Sequence, residues 1–293
     1  MLHKIRRFFL RHFRKMRFLP PKLYTHIHYE YYNKEKLNLK NPITFNAKIA
    51  WYKVFYRPKI LNQLVDKYAV RDYVRQKIGA QYLNTIYGVY ERVEDIDFDV
   101  LPNSFVIKAT HASGYNLIVK DKSKLDFGSS KKLFRKWLKR NQYYRMGQEW
   151  AYKNVKPRLI IEQLLTDKNQ KSLIDYKFYC FNGVAKFIDI HMDRESQHKQ
   201  GCFDLNFKPL PFDKSHKYDK ITQQIKKPSR YKEMIKCAEA LAENIPFVRV
   251  DFYNVNDQII FGEMTFYPSD GRKGFHPPTY NKIVGDFFTL PKL

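Results

Sequence analysis

The feature of this sequence that most constrains its fold is a series of short apolar runs rich in valine, isoleucine and aromatic residues. Runs of this length and composition are typical of β-strands, because the helices of soluble proteins need longer amphipathic patterns. The runs occupy residues 105–108, 117–119, 159–164, 176–181, 185–190, 247–253 and 259–264. Helical patterns lie between them, near 130–140 and 230–244. Strands mixed with helices, at hairpin spacing in places, predict an α+β fold.

A further helix is predicted at 61–78, where apolar residues recur at helical spacing and Gly79 follows as a typical residue just past a helix end. The chain has 293 residues and is 44% hydrophobic, which is enough for a packed core and excludes a wholly disordered protein. No run reaches the roughly 18 apolar residues that cross a bilayer. Cys180, Cys202 and Cys237 share no ligand-like spacing, which indicates free thiols and predicts a cytoplasmic protein.

The net charge of +25 predicts an anionic partner, which could be nucleic acid, a membrane surface or a phosphorylated substrate. Residues 1–29 contain no Asp or Glu. At helical spacing, one stripe of this segment is apolar and consists of Leu2, Ile5, Phe9, Phe13 and Met16. The opposite stripe is basic and consists of Lys4, Arg7, Arg11, Arg14 and Lys15. Pro20 and Pro21 are expected to end the helix.

Such a helix either docks on its own domain or lies in a membrane interface, and the sequence leaves both open. RNA binding would usually bring a recognisable aromatic module, and the sequence contains none, so we expect no nucleic-acid partner. We therefore predict a basic amphipathic segment at 1–39 and a domain at 40–293. Peripheral attachment to the inner face of the plasma membrane stays open as a refinement of the cytoplasmic location.

Two predicted strands near the carboxyl terminus carry a pair of carboxylates. In FVRVDFY, alternation places Arg249 and Asp251 on one face, and in IIFGEMT, Glu263 and Thr265 share a face. If the strands pair as a hairpin, Asp251 and Glu263 reach one pocket. Two carboxylates beside an arginine suit Mg²⁺ that carries nucleotide phosphates. The alternative is an ordinary solvent-exposed strand face.

The stretch FVIKATHASGYNLIVK contains a small polar loop between two predicted strands. Glycine and serine in such a loop let backbone N–H groups approach phosphate oxygens, and Lys108 and Lys120 at the strand ends add positive charge. Neither the Walker pattern nor the dinucleotide fingerprint is present. A plain β-hairpin is the alternative.

The order of these pieces resembles an ATP-grasp enzyme, and more narrowly the TupA-like ATP-grasp family, named for teichuronopeptide synthesis. The segments that carry the resemblance are NPITFNAKIAWYK, QLVDKYAVRDYV, EWAYKNVKPRLIIEQ, DYKFYCFNG and PFVRVDFYNVN. The resemblance covers residues 40–290 and excludes the basic helix. It implies two α/β lobes with a nucleotide cleft between them, and ATP and Mg²⁺ as cofactors.

The resemblance also implies roles for individual residues around the phosphates. Lys67 and Lys108 look like the two lysines that contact the α- and β-phosphates from opposite lobes. His111, Ser113 and Gly114 occupy the position of the mobile loop that closes over the phosphates.

Further roles follow for the adenine end of the cleft. Glu162 looks like the residue that accepts a hydrogen bond from the adenine amino group. The backbone at Gln163, Leu164 and Leu165 would complete this hinge. Lys177 stands where such enzymes keep cations that face the nucleotide.

For metal binding and catalysis, the resemblance assigns Asp251 and Glu263 as magnesium ligands and Arg249, with Lys108, as catalytic cations that steady the acyl phosphate. Many ATP-grasp ligases read E-x-N-x-x-P-G at the final motif. Here Thr265 replaces the asparagine, which weakens the case for a third oxygen ligand and for a second metal ion.

The expected reaction is an ATP-dependent carboxylate–amine ligation through an acyl phosphate, in the biosynthesis of a bacterial surface polysaccharide (capsular, lipopolysaccharide or teichuronic type). The expected partners are a nucleotide, a glycan or lipid-linked glycan precursor and an amino-acid-like substrate. Arg194, His198 and Arg272 are candidates for substrate binding, although each could also belong to a solvated basic surface.

Two other functions compete with this interpretation. One is a glycosyltransferase, because Asp95-Ile96-Asp97 matches a D-x-D pattern, although it lies in an acidic stretch that is typical of a surface turn. The other is a basic, non-enzymatic protein that binds membranes or nucleic acid.

Overall fold

The computed structural model describes residues 2–145, 147–168, 172–194, 196–214, 218–222 and 225–292. The helices are α1 (Leu2–Phe13), α2 (Pro21–Asn33), α3 (Phe45–Phe55), α4 (Ile60–Val65), α5 (Val70–Lys77), α6 (Phe127–Leu138), α7 (Gln142–Arg145), α8 (Tyr231–Ala242) and α9 (Tyr280–Asp286). The strands are β1 (Ile86–Tyr90), β2 (Phe105–Ala109), β3 (Asn116–Val119), β4 (Leu159–Gln163), β5 (Asp175–Phe181), β6 (Val184–Met192), β7 (Lys199–Phe203), β8 (Asp219–Lys220), β9 (Phe247–Val255) and β10 (Gln258–Thr265).

The strands form two sheets. The first has the order β1-β4-β2-β3 and is antiparallel, and the second has the order β10-β9-β5-β6-β7-β8, in which only the β7–β8 pair is parallel. Every run that the sequence marked as a strand lies largely within β2, β3, β4, β5, β6, β9 or β10, so the predicted α+β architecture is confirmed. The strands β1, β7 and β8 were not predicted, because they are short and contain glycine or charged residues that interrupt the apolar pattern.

Each sheet has its own apolar core. The first sheet packs against α6, where Phe134 contributes a fully buried ring to the cluster that includes Phe105 and Ile161. The second sheet packs against α8, whose Met234 and Leu241 are fully buried in a larger cluster. The predicted helices near 130–140 and 230–244 are thus confirmed as α6 and α8. The two cores leave a cleft between the sheets.

The prediction of one continuous helix at 61–78 is wrong, because the structure has two shorter helices there, α4 and α5. Asp66 Oδ1 accepts hydrogen bonds from the backbone N–H groups of Tyr68 and Ala69, at 2.8 and 3.1 Å, and these bonds stabilise a turn in place of a helical repeat. Arg158 donates to Asp66 Oδ2 at 2.7 Å, and the Lys67 N–H donates to the carbonyl of Thr110 at 3.1 Å. The break thereby holds Lys67 against the first sheet.

The amino-terminal segment is tied to the rest of the chain. Helix α1 ends at Phe13, earlier than the prolines suggested, and Pro21 opens α2 instead. Tyr24 and His28 of α2 are buried, and Asn33 Nδ2 donates to the carbonyl of Gly271 at 3.1 Å. Within the described residues, none of the helices combines the length and apolar composition needed to cross a bilayer. The boundary predicted at residue 40 stays a prediction.

The three cysteines are buried and unlinked, which confirms the predicted free thiols. Desolvation raises the pKa of each thiol, so none is a thiolate at neutral pH. No step of the reaction expected here needs them.

A buried carboxylate, Asp270, joins the amino-terminal helices to the last motif of the chain. Lys53 Nζ lies 2.9 Å from Asp270 Oδ1, His28 Nε2 lies 3.1 Å from Oδ2, and the Gly147 N–H donates to Oδ2 at 3.1 Å. Burial raises the pKa of Asp270, but Lys53 and His28 together outweigh burial and hold that pKa well below its usual range. The carboxylate is therefore ionised at neutral pH and fixes α2 and α3 to segment 268–271.

Replacement of Asp270 by asparagine is expected to lower the free energy of unfolding by about 3–5 kcal/mol, because Lys53 is left as a buried charge without its carboxylate. Denaturant melts would measure the loss. The matched control is Asp286→Asn, which breaks an exposed pair with Lys282 and should cost less than about 1 kcal/mol. Equal melts for the two variants would show that the buried network contributes nothing to stability.

Candidate active site

A pocket of about 380 Å³ lies between the two sheets. The first sheet contributes Lys108 and Glu162, which project from the same face of β2 and β4. The second sheet contributes a row of directly opposite residues across four strands: Asp189 (β6), Lys177 (β5), Asp251 (β9) and Glu263 (β10). Because side chains alternate along a strand, residues that stand opposite each other lie on the same face of the sheet, and this register places all four side chains on the face that lines the pocket.

The predicted hairpin of β9 and β10 is confirmed. Its turn is formed by Asn256 and Asp257, which have φ angles of 49° and 62°, as a two-residue hairpin of this kind requires. The register is irregular between Phe261 and Glu263, and beyond this bulge Glu263 stands opposite Asp251. Asp251 and Glu263 line the pocket together, as the alternation predicted.

Arg249 holds the two carboxylates in place. Its Nε and Nη2 atoms each lie 2.7 Å from an oxygen of Asp251, and Nη2 also lies 3.1 Å from Glu263 Oε1. Lys177 Nζ lies 2.7 Å from Asp251 Oδ2. Burial lowers the pKa of Arg249, but Asp251 outweighs burial and raises it well above the usual value. Burial raises the pKa of Glu263, yet the charges of Lys67 and Arg249 bring it below the usual value, so Glu263 is ionised at neutral pH.

The carboxylates suit one magnesium ion that also binds a nucleotide. Mg²⁺ in such sites takes one or two protein carboxylates and completes its shell with phosphate oxygens and water. Within the described residues, no cluster of three or more His, Cys, Asp or Glu side chains could hold a metal by itself. Asp251 and Glu263 would thus be the ligands. Thr265 donates to Glu263 Oε1 at 3.2 Å and accepts from Arg249 at 3.0 Å, so in this structure it orients Glu263.

Two lysines face this pair from the other side of the pocket. Lys67, held at the break between α4 and α5, donates from Nζ to the carbonyl of Ala112 at 2.7 Å. Burial lowers the pKa of Lys67, and Glu263 partly opposes that effect. Lys108 Nζ lies 2.6 Å from Glu162 Oε2. Both lysines line the pocket.

The loop between β2 and β3 divides into two parts. Ser113 and Gly114 line the pocket, and Gly114 has a φ of 75° and faces open space. His111 does not line the pocket: it is buried, with Nε2 3.2 Å from the carbonyl of Trp137 at the end of α6. A contact between His111 and the nucleotide, as the sequence predicts, would require this loop to rearrange.

The segment after β4 borders a second, smaller cavity, which shares Asn84 and Leu165 with the main pocket. Gln163 and Leu164 line this cavity, and Asn84 Nδ2 donates to the carbonyl of Gln163 at 2.9 Å. Glu162 is buried, and its carboxylate binds Lys108. Recognition of adenine by the Glu162 side chain therefore stays a prediction, as do the roles given to the backbone of 163–165.

Comparison with known proteins identifies the family. The family model for TupA-like ATP-grasp proteins matches residues 47–289. The chain belongs to the TupA-like ATP-grasp family. This membership confirms the predicted ATP-grasp fold.

Solved structures similar to this TupA-like protein include D-alanine–D-alanine ligase from Bacillus anthracis complexed with ATP, at 16% identity over 71% of this chain and 55% of that chain, with a TM-score of 0.41. D-Alanine–D-alanine ligase from Helicobacter pylori shares 11% identity over 79% and 60% of the two chains, with a TM-score of 0.44. L-Amino acid ligase from Bacillus licheniformis shares 11% identity over 75% and 47%, with a TM-score of 0.43. The TupA-like chain thus spans about half the length of such proteins. No curated protein sequence gives a match.

The substrate-binding candidates of this TupA-like protein occupy different positions. Arg194 lines the pocket and lies 2.9 Å from Asp175 Oδ2. His198 does not line the pocket, but its Nε2 lies 2.8 Å from Nδ1 of His191, which does. Arg272 lies outside the pocket, 3.7 Å from Asp270. Arg194 thus borders the space that a ligand would fill, and its role in substrate binding stays a prediction, whereas Arg272 would have to move to reach a ligand in the pocket.

Sequence reasoning missed several pocket residues of the second sheet and its flanking segments, namely Asp175, Asp189, His191, Gln200, Lys214, Tyr218 and Lys273. Alternation in the segment DIH could have placed Asp189 and His191 on one face, but the loop residues Lys214 and Lys273 carry no local signal.

The D-x-D pattern lies away from the pocket. Asp95 ends a short helical turn and Asp97 follows it, and both residues are exposed and neither lines the pocket. The glycosyltransferase alternative therefore has no support from the site.

Proposed function

We propose that this protein binds Mg·ATP in the pocket and uses it to join a carboxylate to an amine through an acyl phosphate. The single observation that carries the proposal is the convergence of cations from both sheets on one carboxylate pair; the residues are Lys67, Lys108, Lys177, Arg249, Asp251 and Glu263. The pocket lining as a whole carries seven Lys or Arg side chains and five Asp or Glu side chains, and this surplus of positive charge suits the polyphosphate of a nucleotide.

In this reaction the protein would mainly position the reacting groups and neutralise their charge. A carboxylate is a poor acyl donor until its oxygen carries a phosphoryl group, which an amine can then displace. Lys67 and Lys108 would hold the phosphates, and Arg249 would bind the group that is transferred. When bound, Mg²⁺ would supply charge neutralisation between the phosphate oxygens and the carboxylates. Closure of the loop at Ser113 and Gly114 would keep water from the acyl phosphate.

The wider role we propose is the assembly of a bacterial cell-surface polysaccharide, with a glycan precursor and an amino-acid-like molecule as the two substrates. Support comes from the TupA-like family and from the cationic pocket, which suits anionic substrates.

Calorimetric titration with ATP and Mg²⁺ tests nucleotide binding. Wild-type protein should bind ATP, and Lys67→Met should weaken binding by at least about tenfold, because a charge-assisted hydrogen bond to phosphate contributes about 1.5–3 kcal/mol. Lys139→Met is the matched control, since Lys139 is exposed and lies outside the pocket. Absence of binding at millimolar ATP would refute the proposed function.

We also propose peripheral attachment to the cytoplasmic face of the plasma membrane. Large apolar side chains of the amino-terminal segment are exposed: Phe8 by 60%, Phe9 by 52%, Phe13 by 40%, Phe18 by 80% and Leu23 by 50%. Arg7, Arg11, Lys15 and Arg17 are exposed in the same segment. Apolar side chains beside cations, with no acidic residue among the first 29, are typical of an interfacial helix.

A further inference from the structure

A buried lysine at the far end of the pocket has no carboxylate partner. Lys214 is only 4% exposed, yet it lines the pocket. Its Nζ donates to the carbonyl of Lys273 at 2.8 Å and lies 4.2 and 4.7 Å from the ring centres of Phe275 and Phe45. Among the described residues, no carboxylate oxygen lies within 4 Å of this nitrogen. A buried ammonium without a counter-ion is costly, so the amine releases its proton unless a bound anion stabilises the charged form.

A second polar group at the same end of the pocket lacks a partner. Gln200 is 4% exposed, and its Nε2 donates to both oxygens of Asp189 at 2.8 and 2.9 Å. Because a carboxylate accepts only, these bonds determine which end of the amide faces Asp189. Gln200 Oε1 is left buried without a hydrogen-bond donor among the described residues. A buried acceptor of this kind points to a ligand N–H or O–H group.

We propose that Lys214 and Gln200 form the subsite for the second substrate, a carboxylate that also carries an N–H or O–H donor. This inference rests on the proposed function for its place in the reaction. Lys214 binds the anionic group, and Gln200 Oε1 accepts from the donor. Lys273, whose Nζ lies 5.6 Å from the ring centre of Tyr218, adds a cation at the mouth.

The position of this subsite separates it from the nucleotide. Asp189, to which Gln200 is bonded, stands two strands from Asp251 in the row across the second sheet, which corresponds to about 10 Å at the ~4.8 Å spacing of neighbouring strands. Lys67 and Arg249 face the other end of the row, beside Glu263. A substrate held at Lys214 would therefore not compete with Mg²⁺ and the phosphates for the carboxylate pair.

Reductive methylation by formaldehyde and cyanoborohydride, followed by mass spectrometry, tests the proposal on the wild-type protein. This reaction consumes neutral amines. Burial lowers the pKa of Lys214 to about 7, and Asp189 and Cys202 partly oppose burial while Arg249 and Lys273 add to it. At about pH 8, Lys214 is therefore mostly neutral, whereas an exposed lysine with a pKa near 10.4 is almost wholly protonated. Lys214 should be methylated faster than Lys236, which is exposed on α8.

The probe ligand is glycolate, the simplest carboxylate with a hydroxyl group, and methyl glycolate is the uncharged control. Glycolate should slow methylation of Lys214 by about tenfold at nine-tenths occupancy, since only the free tenth reacts. Methyl glycolate should not slow it, and neither ligand should change the rate at Lys236. Unchanged methylation of Lys214 in glycolate, or equal protection by the ester, would overturn the proposal.

Methylation in the presence of Mg·ATP distinguishes this subsite from the nucleotide site. It should slow methylation of Lys67 and Lys108 and leave Lys214 unaffected. Protection of Lys214 by Mg·ATP alone would assign this lysine to the nucleotide and overturn the inference. Failure of Mg·ATP to protect Lys67 and Lys108, with glycolate still protecting Lys214, would refute the proposed ATP site but not the subsite.

A variant gives an independent check. Lys214→Met places an apolar chain of similar length between Phe45 and Phe275, so the protein should melt at the wild-type temperature or above it. The heat of glycolate binding should be lost in this variant and retained in Lys236→Met. A wild-type heat of binding in the folded Lys214→Met protein would refute the subsite.

Discussion

The Glu263→Gln protein should lose Mg²⁺-dependent ADP release by at least about 100-fold, because a metal ion contributes several kcal/mol of charge stabilisation to phosphoryl transfer. Glu263 stands opposite Asp251 and next to Arg249, and its side chain is 38% exposed to the pocket. Glutamine keeps the size and the hydrogen bond from Thr265 but loses the negative charge that a divalent ion needs. The fold should be unaffected, since the side chain belongs to the pocket and not to the core.

The Asp251→Asn protein should lose activity to the same extent, with a lower melting temperature. Asp251 is buried and accepts from both Arg249 and Lys177, so the neutral amide leaves two cations with a weaker partner. The matched control is Glu91→Gln, because Glu91 is exposed, pairs with Lys156 and lies outside the pocket. ADP release and thermal melts measure both effects. Near-normal ADP release by either variant would show that the replaced carboxylate is not an essential metal ligand.

Removal of the exposed phenylalanines should release the protein from anionic vesicles. Phe8, Phe9, Phe13 and Phe18 project from the amino-terminal segment into solvent, and they would insert among the acyl chains. In the joint replacement of all four by serine, the cations remain, so binding should become weaker and wholly dependent on salt. Co-sedimentation with vesicles of anionic lipid measures the effect, and vesicles of neutral lipid serve as the control.

The positive charges should contribute a second, separable part of membrane binding. Arg7, Arg11, Lys15 and Arg17 are exposed, whereas Arg14 is partly buried, where it stacks 4.3 Å from the ring centre of Tyr31. Four exposed cations at about 1 kcal/mol each supply about 4 kcal/mol near an anionic surface. This part should weaken as salt shortens the Debye length from about 10 to 3 Å.

Deletion of residues 1–19 should abolish both parts of membrane binding while ATP binding persists, because no proposed nucleotide contact lies in this segment. The deletion also removes the carbonyls of Arg17 and Leu19, to which Gln148 Nε2 donates, so the serine variant is the cleaner test. Equal sedimentation of the wild-type and shortened proteins would mean that the positive charge serves the substrate and not the membrane.

Local patterns in the sequence determined the carboxylate hairpin. Alternation along FVRVDFY and IIFGEMT places Arg249 and Asp251 on one face and Glu263 and Thr265 on one face, and a polar turn of Asn256 and Asp257 joins the strands. A period of two and a two-residue turn are properties of a few consecutive residues. They can therefore be predicted without knowledge of the remaining chain. The same holds for the basic, aromatic character of the amino-terminal helix.

Tertiary contacts decided the positions of the residues that complete the site. The apolar pattern of 61–78 does not predict the break at Asp66. The turn there has local hydrogen bonds from Tyr68 and Ala69, but the other partners of the break, Arg158 and the carbonyl of Thr110, come from distant parts of the chain. The location of His111 depends on packing against α6, and that of Lys214 on the rings of Phe45 and Phe275. Periodicity reports which face of an element is buried, but not which distant segment covers it. For this reason the sequence predicted the fold, the strands with continuous apolar runs and the carboxylate pair, whereas β1, β7, β8 and the full set of cations around the pocket depended on contacts between segments far apart in the chain.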